Sequence, residues 1–374
     1  MVDSYRPTWA EVNLRNLTFN FRQLKKRAGK NVKILAAVKA NAYGHGMVQV
    51  SRTLERCGVD YLGLASVDEA VLLRKEGVRV PLLMLGSIFS TDAIRKALRL
   101  NMTMTVADYR SAVMINRCAG RHARAKVHIK IDTGMGRLGL WHEQAEDIIA
   151  RIIRLSHLDI EGIYTHFPSA DTDMRFTRKQ VAIFEALLRR LKKKNISFPL
   201  AHAANSIAVG RISASFLTMV RPGIMLYGMY PDTRRHKDIA LKPVLCFKTR
   251  VVYLKQVGAG RTISYGRTYT TKRKTTIATL PVGYADGYVR ALSNKAKVLI
   301  RGKFFPVAGR ICMDQTMVDV GSSSIIKIGD EVVLLGRQKG RTISAQELAA
   351  ICRTIPYEIT CWISSRVRRV FKNY

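Results

Sequence analysis

The sequence has few acidic residues, no paired cysteines and no long apolar run, and each shortage excludes a class of protein. Nowhere does the chain approach the ~20 uninterrupted apolar residues that a membrane-spanning helix needs. Its first segment, MVDSYRPTWAEVNLRNL, contains no apolar stretch of the kind that signal peptides carry. We therefore expect a soluble, cytoplasmic protein with no membrane partner.

The six cysteines are scattered along the chain and form no CxxC pair. This spacing indicates neither a zinc site nor the disulfide framework of a secreted protein. We expect reduced thiols and no bound metal.

Acidic side chains are outnumbered, with 27 Asp and Glu against 63 Lys and Arg and a formal net charge of +36. Taken alone, this excess would indicate a nucleic acid or an anionic membrane as partner. However, the basic residues occur in almost every segment, as in LKKR, RRLKKK and TKRK, and no nucleic-acid-binding motif accompanies them. We interpret the charge as a basic, solvated surface and expect no nucleic-acid partner.

Short apolar runs alternate with helix-period segments between about residues 30 and 230, which predicts parallel strands joined by helices. The eight candidate strands are KILAAVK at 33–39, YLGLAS at 61–66, LLMLG at 82–86, MTMTV at 102–106, KVHIKID at 126–132, IEGIYTH at 160–166, LAHAA at 200–204 and MVRPGIMLYG at 219–228. Eight such units favour a (β/α)8 barrel of the TIM type over an open sheet. We assign residues 1–240 to this α/β domain.

The pattern changes after about residue 240. Short strand-like segments such as KTTIATLPVG and DEVVLLG are separated by turn residues, and no long helix is predicted before SAQELAAICRTI. Residues 241–374 therefore form a second, mainly β domain.

Lys39 directly follows an apolar run, where a lysine either extends to the surface or takes part in chemistry. Active sites of such barrels lie at the C-terminal ends of the strands. A desolvated lysine amine is a nucleophile that can form a Schiff base with an aldehyde cofactor such as pyridoxal phosphate. Tyr43 and the glycines of AYGHG add a ring, a hydroxyl and open backbone nearby.

A phosphorylated cofactor also needs hydrogen-bond donors, which barrels commonly supply in the loops after their last two strands. HAANS and VRPG occupy those positions. Ser206 can donate its hydroxyl, and the amides of Gly223 and Ile224 can approach an anion. The structural alternative for Ser206 is an ordinary helix N-cap.

Six ordered motifs resemble those of alanine racemase, a pyridoxal-phosphate enzyme with a barrel and a C-terminal β domain. They are AVKANAYGHG, KIDTGMGRLG at 130–139, HAANS, RPGIMLYG, SYG at 264–266 and GRICMDQTMVD at 309–319. The resemblance covers nearly the whole chain. It implies an isomerase that interconverts L-alanine and D-alanine and supplies D-alanine for peptidoglycan, the cell-wall polymer.

The resemblance also implies roles for individual residues. Lys39 forms the Schiff base and is one proton-transfer base, and Tyr265 is the base on the opposite face. A racemase needs two such groups because a proton leaves one face and another arrives on the other. His166 and Arg221 support Tyr265, and Arg221 faces the pyridine nitrogen, where it disfavours a protonated ring and side transamination.

The remaining implied roles concern substrate and cofactor binding. Arg137 and the backbone amide of Met313 contact the substrate carboxylate, and Cys312 and Asp314 flank Met313. Lys130 is either carbamylated, and then holds Arg137, or an unmodified lysine. Tyr357 contacts the phosphate and narrows the entrance. The implied cofactor-binding residues are Lys39, Tyr43, His166, Asn205, Ser206, Arg221, Gly223, Ile224 and Tyr357.

Other enzymes share parts of this pattern. A basic amino-acid decarboxylase has the same architecture, but its pattern places a carboxylate at the pyridine nitrogen, where this chain has Arg221. A racemase of broader specificity, acting for example on serine, departs from DTGMGRLG, which is intact here. A cofactor-carrier protein would lack the β domain. Finally, the resemblance implies a homodimer in which the β domain of each chain contributes Tyr265 to the active site of its partner.

Overall fold

The computed structural model describes residues 5–120, 124–230, 239–322 and 325–373. Contacts divide the chain into two compact units. The barrel unit comprises Leu17–Ala42 and Met47–Leu241, and the β unit comprises the residues up to Asn16, Tyr43–Gly46 and the residues from Lys242 onward. The predicted domain boundary at residues 240 and 241 stays a prediction; by contacts, the residues before Leu17 group with those after Leu241.

In the described part of the barrel unit, eight parallel strands close into a barrel, which confirms the predicted fold class. These strands are β2 (Lys33–Ala37), β3 (Tyr61–Leu64), β4 (Leu82–Met84), β5 (Met102–Val106), β6 (Ala125–Asp132), β8 (Leu158–Tyr164), β9 (Leu200–Asn205) and β10 (Met219–Arg221). A two-residue strand, β7 (Leu140–Trp141), pairs with β6 outside this ring.

The eighth strand is shorter than predicted. It ends at Arg221, and Ile224–Tyr227 form a 3-10 turn instead of continuing the strand. Pro222 contributes to this ending because proline lacks the backbone N–H that a sheet ladder requires. The change of direction occurs at the position where phosphate donors were predicted.

Helices connect the barrel strands, as the alternating pattern predicted. Their bounds are Met47–Arg56, Val67–Lys75, Thr91–Arg99, Tyr109–Ala119, Ala145–Ile152, Met174–Lys193 and Ser206–Arg211, and Leu14–Ala28 precedes β2. Ser66 and Ser90 cap the second and third of these by accepting a backbone N–H. In the longest helix, Phe184, Leu187 and Leu191 are buried at helical spacing.

The β unit is mainly β, as predicted. Its strands are β1 (Thr8–Asn13), β11 (Leu245–Arg250), β12 (Tyr253–Val257), β13 (Thr262–Ile263), β14 (Tyr269–Thr270), β15 (Thr275–Leu280), β16 (Lys297–Ile300), β17 (Lys303–Pro306), β18 (Thr316–Gly321), β19 (Glu331–Gln338), β20 (Arg341–Ile343) and β21 (Arg368–Lys372). Two helices, Ala345–Cys352 and Pro356–Cys361, follow β20. The N-terminal strand β1 pairs antiparallel with β11 and parallel with β21, which no local sequence pattern indicated.

Within the described residues, no helix combines the length and apolarity that crossing a membrane requires. Those residues also contain no cluster of three or more His, Cys, Asp or Glu side chains that could hold a metal ion.

Candidate active site

Lys39 lies two residues beyond β2, at the start of a left-handed turn. The backbone φ angles of Ala40, Asn41, Ala42 and Tyr43 lie between 53° and 55°. Left-handed backbone costs an L-residue roughly 1–2 kcal/mol, so four successive non-glycine residues in this region indicate a turn that its surroundings impose. The sequence predicted a strand end here, but gave no sign of the handedness.

Glu69 holds this turn from the next strand connection. Its Oε1 accepts the Ala40 N–H at 2.7 Å, and its Oε2 accepts the Ala65 N–H at 2.8 Å. Ser66 caps the helix that carries Glu69, accepting the Glu69 N–H at 3.3 Å. The S-x-x-E spacing predicts a capping box in which Glu69 would bond the Ser66 N–H. Here the carboxylate instead joins the turns after β2 and β3.

Arg221 ends β10 and is only 5% exposed. Its Nη1 donates to His202 Nδ1 at 2.7 Å, and its Nη2 donates to the Thr165 and Ala203 carbonyls at 2.7 and 2.9 Å. Its Nε donates to none of the described residues. Burial lowers the pKa of Arg221 to about 10, so the guanidinium stays cationic at neutral pH.

Lys39 and Arg221 lie at the ends of neighbouring barrel strands, since β2 pairs with β10 and the Ala37 N–H donates to the Pro222 carbonyl at 3.0 Å. Both contribute positive charge around His166, whose pKa is held well below its usual value by burial and then by Arg221, Lys130, Arg137 and Lys39. His166 is therefore a neutral imidazole. The structure thus brings these predicted residues into one electropositive region.

Lys130 is an unpaired buried amine. It is 4% exposed, and its Nζ has no hydrogen-bond partner among the described residues. The Nζ lies 4.7 Å from the centre of the Tyr164 ring. Burial, together with the nearby Arg221 charge, lowers the pKa of Lys130 well below its usual value.

The loop that carries Arg137 is organised by Asp132. This carboxylate accepts backbone N–H groups from Gly134 and Met135 at 2.8 Å each, and from Arg137 at 3.2 Å. Although burial acts to raise the pKa of Asp132, these hydrogen bonds bring it below its usual value. The Arg137 residue itself is exposed.

Donors collect where β9 and β10 end. Asn205, rather than Ser206, caps the helix Ser206–Arg211 by accepting the Ala208 N–H at 3.1 Å. The Ser206 Oγ accepts the Gly223 N–H at 2.8 Å, and its own proton donates to none of the described residues. The helical-cap alternative for Ser206 is therefore wrong, and its O–H is available to an anion.

In the β unit, two of the predicted residues are much more exposed than Arg221 and Lys130, whereas Tyr43, Cys312 and Tyr357 are half-buried. Tyr265 is 70% exposed and Met313 is 53% exposed. The Met313 loop is fixed by backbone bonds, since Tyr284 N–H donates to the Cys312 carbonyl and Ala285 N–H to the Met313 carbonyl, each at 3.1 Å.

Asp314, next to Met313, accepts a hydrogen bond from Arg366 at 2.7 Å. The fully buried Asp286 accepts one from Arg6 at 2.8 Å. Arg6 also donates to the Asp314 carbonyl at 3.2 Å. These ionic contacts support the loop that presents Met313, and the sequence patterns did not indicate Arg6, Asp286 or Arg366.

Tyr43 and Tyr357 also meet in the β unit, with ring centres 5.9 Å apart. Burial raises the pKa of Tyr43, so its phenol stays protonated at neutral pH. A side chain at Gly44 would overlap the Thr360 carbonyl, which explains why AYGHG has glycine there.

The barrel residues suit a cofactor that carries an aldehyde, a pyridine ring and a phosphate. Lys39 supplies an amine, while the Ser206 hydroxyl and the Ile224 amide supply donors of the kind that phosphate prefers. The Gly223 N–H, which was predicted as a further donor, is bound to Ser206 Oγ and orients that hydroxyl. The Nε of Arg221 provides a test of whether such a cofactor fits this site. A donor on a buried residue needs an acceptor, and an unprotonated pyridine nitrogen would be that acceptor. The donor set therefore fits pyridoxal phosphate.

Comparison with known proteins agrees with this fit. The alanine racemase N-terminal domain matches residues 12–231, and the alanine racemase C-terminal domain matches residues 244–371. The chain is 47% identical to an alanine racemase of Halothermothrix orenii, over 98% of this chain and 97% of that protein. It is 45% identical to alanine racemase 2 of Caldanaerobacter subterraneus subsp. tengcongensis, over 99% and 96%.

Solved structures give the same result. An alanine racemase of Clostridium difficile 630 superposes with a TM-score of 0.93 at 40% identity, over 99% of this chain and 97% of that chain. The decarboxylase and carrier alternatives are not favoured by these matches. The chain therefore belongs to the alanine racemase family, and is a pyridoxal-phosphate-dependent amino-acid racemase.

Proposed function

We propose that the chain interconverts L-alanine and D-alanine by a two-base mechanism with Lys39 and Tyr265, and supplies D-alanine for cell-wall synthesis. The observation that carries the proposal is the electropositive region in which Lys39, His166 and Arg221 meet. When bound, pyridoxal phosphate withdraws electrons from the α-carbon of an amino acid and so makes its α-proton removable.

Lys39 and Tyr265 have complementary tasks. Lys39 holds or delivers a proton at Nζ on one face of the substrate, and Tyr265 does so at its phenolic oxygen on the other. Tyrosine is a poor base at its reference pKa of ~10, so it needs positive charge nearby. Arg221 provides a permanent cation in the barrel unit.

Arg221 has a second task in this proposal. Its Nη atoms are held by barrel groups, which leaves Nε to donate to the ring nitrogen. A donor that keeps its own proton leaves that nitrogen unprotonated, so less charge moves into the ring. Protonation at the wrong carbon, which leads to transamination, is thereby suppressed.

Arg137 and the Met313 amide bind the substrate carboxylate in this proposal. Ser206 and Ile224 bind the phosphate, and the Gly223 N–H orients the Ser206 hydroxyl. Asn205 supports that site as the helix cap. Tyr357, beside Tyr43, limits the size of the substrate. The small entrance favours alanine over larger amino acids.

Lys130 is proposed to carry a carbamate. Its buried amine, whose pKa lies well below the usual value, can attack carbon dioxide in its neutral form, forming an N–C bond and releasing one proton. The resulting anion would fill the missing contact of Nζ and balance the charges of Arg137 and Arg221. Intact mass measurement before and after acidification tests this, because carbamates decompose in acid.

The active site is proposed to be shared in a homodimer, with Lys39 from one chain and Tyr265 from the partner. The exposure of Tyr265 and Met313 supports this, since residues that do chemistry need a surface that excludes water. We also propose a cytoplasmic location. The six cysteines are all free, as is usual in a reducing compartment.

The direct test incubates the purified protein with pyridoxal phosphate and L-alanine, and follows D-alanine by chiral chromatography. We expect the same final mixture of enantiomers from either starting isomer. A parallel assay with L-serine distinguishes a broader racemase. Formation of an amine and carbon dioxide from lysine, without D-alanine, would contradict the proposal and favour a decarboxylase.

A further inference from the structure

Two buried histidines extend inward from Arg221. His202 on β9 accepts a hydrogen bond at Nδ1 from Arg221 Nη1, 2.7 Å away. Its other ring nitrogen, Nε2, lies 2.8 Å from Nδ1 of His128 on β6. Both histidines are completely buried. His202 begins the HAANS motif but was given no role from the sequence, and His128 lies in none of the six motifs.

The positions of the protons on His202 and His128 follow from the chemistry of arginine. A guanidinium has only donors, so His202 must offer a lone pair at Nδ1. A neutral His202 then carries its proton on Nε2 and donates it to His128. Consequently Nδ1 of His128 is an acceptor, and the proton of His128 is on its own Nε2.

Both rings stay neutral. Burial, followed by the charge of Arg221, holds the pKa of His202 well below its usual value, and the same causes lower the pKa of His128 to about 3. His128 and, in its unmodified form, Lys130 also disfavour a protonated His202 ring. A proton on both nitrogens of His202 would place two donors opposite each other at Arg221.

His128 contributes only one hydrogen bond to this arrangement. Its Nε2 has no partner among the described residues. A Cβ at Gly162 would lie 2.8–2.9 Å from its ring atoms, so the ring fits only because residue 162 is glycine. His202, in turn, stacks on Tyr164, with ring centres 4.8 Å apart and planes 4° apart. Packing therefore sets the ring planes, while the donor of Arg221 at Nδ1 and the acceptor of His128 at Nε2 together set the position of the His202 proton.

We propose that His128 is a positioning residue for the racemase reaction: acting at Nε2 while Arg221 acts at Nδ1, it helps to fix the tautomer of His202, which in turn holds Arg221 with Nε turned toward the cofactor ring. Without an acceptor at residue 128, His202 has no partner for its Nε2 proton. The Nδ1 tautomer then becomes accessible, and in that form His202 no longer accepts from Arg221. This inference rests on the proposed role of Arg221, but the tautomer of His202 can be measured without any assay of the reaction.

The test uses two substitutions of equal shape. His128→Asn places an amide oxygen where Nδ1 was, and the lost Nε2 had no hydrogen bond. His128→Leu has the same branching and no acceptor. The tautomer of His202 is read from the ring 15N shifts of protein labelled only at histidine, with and without pyridoxal phosphate, and a His202→Asn protein assigns the signal.

We expect His202 to be protonated only at Nε2 in the unsubstituted protein and in His128→Asn, and to show both tautomers in His128→Leu. The kcat for alanine should fall about tenfold in His128→Leu and about twofold or less in His128→Asn, since one hydrogen bond is lost only in the former. A proton on Nδ1 of His202 in the unsubstituted protein would overturn the proposal. So would equal tautomers and equal kcat in the Asn and Leu proteins.

The proposed function and this inference fail differently. If Arg221 has no role at the ring nitrogen, kcat and pyruvate formation stay unchanged in His128→Leu although the tautomer shifts. If His128 does not set the tautomer, the 15N signals stay the same. Thermal unfolding of both variants, measured in parallel, separates these outcomes from loss of the fold.

Discussion

The proposed site residues of the barrel unit and those of the β unit differ in how completely their own unit positions them. Arg221 and Lys130 are almost fully buried. Arg221 is bound by four barrel groups, the fourth being His166 Nδ1, 3.4 Å from Nη2. Tyr265 and Met313, in contrast, lie mostly in solvent within their own unit. The barrel half of the proposed site, represented by Arg221 and Lys130, is therefore positioned by the barrel's own fold. In the β half of the site, the side chains of Tyr265 and Met313 are exposed to solvent, although hydrogen bonds fix the backbone around Met313.

This difference separates two requirements of a racemase. Binding and electronic control of a cofactor need a rigid, desolvated set of groups, which a closed barrel provides. The second base must lie on the opposite face of the substrate, and a separate unit can bring it there. The following predictions test each half, beginning with the largest effect.

Lys39→Ala tests the barrel half most severely. We expect loss of the covalent cofactor link and at least a ~10³-fold fall in racemisation, because no other amine replaces this nucleophile. Visible absorbance and mass after borohydride reduction measure the link. Lys33→Ala, which removes a lysine from the opposite end of the same strand, is the matched control. Reduction that still labels a lysine in the Lys39→Ala protein would show that another residue binds the cofactor.

Mixing two inactive proteins tests the β half. Lys39→Ala and Tyr265→Phe chains are unfolded and refolded together, and each alone as controls. If sites are shared between chains, half of the randomly paired dimers are mixed and about a quarter of all sites regain both groups. Activity should therefore return only in the mixture. No recovery, with mixed dimers verified by mass tags, would mean that each chain completes its own site.

Arg221→Glu tests electronic control by the barrel. A carboxylate stabilises a protonated pyridine, so we expect pyruvate formed per racemisation event to rise by about tenfold or more. Arg221→Lys keeps a cation and should keep the ratio low, although its single ammonium replaces a five-donor fork and lowers kcat. Pyruvate and D-alanine are measured in the same reaction. An unchanged ratio in Arg221→Glu would contradict the electronic role.

Glu69→Gln tests whether the left-handed turn depends on its carboxylate clamp. One amide oxygen replaces two acceptors, so the N–H of Ala40 or Ala65 loses its partner. We expect about a tenfold lower kcat and faster hydrogen exchange at Ala40. Asp68→Asn removes the same charge from the same helix turn and should behave like the unsubstituted protein. Equal exchange rates in the two variants would assign the turn to other contacts.

Tyr357→Ala should have the smallest effect. Removal of the ring beside Tyr43 widens the proposed entrance, so kcat/KM for serine relative to alanine should rise about threefold. Tyr357→Phe keeps the ring and is the control for loss of the hydroxyl. If neither substitution moves the ratio, other residues set the size limit.

The sequence predicted the repeating parts of the fold well. Every predicted barrel strand is present. These strands could be predicted because buried parallel strands have nearly continuous runs of apolar residues in the sequence. The partners of β1 could not be predicted in this way, since Trp9 pairs with Lys248 and Arg368, far along the chain. The left-handed turn was also missed, because alanine and tyrosine have no preference for positive φ.

The site residues likewise include some that could be predicted from the sequence and some that could not. Residues in recognisable motifs, such as Lys39 and Arg221, could be named from the sequence, and their roles stay proposals. His128 lies within an apolar strand and in no motif, and His202 begins the HAANS motif without any signal for a role of its own. A hydrogen bond between strands gives them a role, and such pairing is visible only when β6, β8 and β9 are adjacent.

The turn after Lys39 also has a stereochemical meaning. Its backbone angles are those that D-amino acids adopt without strain, whereas here four L-residues adopt them. The turn is thus a strained segment of backbone. It is kept in the left-handed form partly by Glu69 and by the hydrogen bond from the Ala42 N–H to the Val38 carbonyl. Loss of those bonds would favour the ordinary right-handed backbone and so would change the direction in which Lys39 points. The direction of the Lys39 amine therefore depends on the hydrogen bonds that hold the backbone at this end of the barrel.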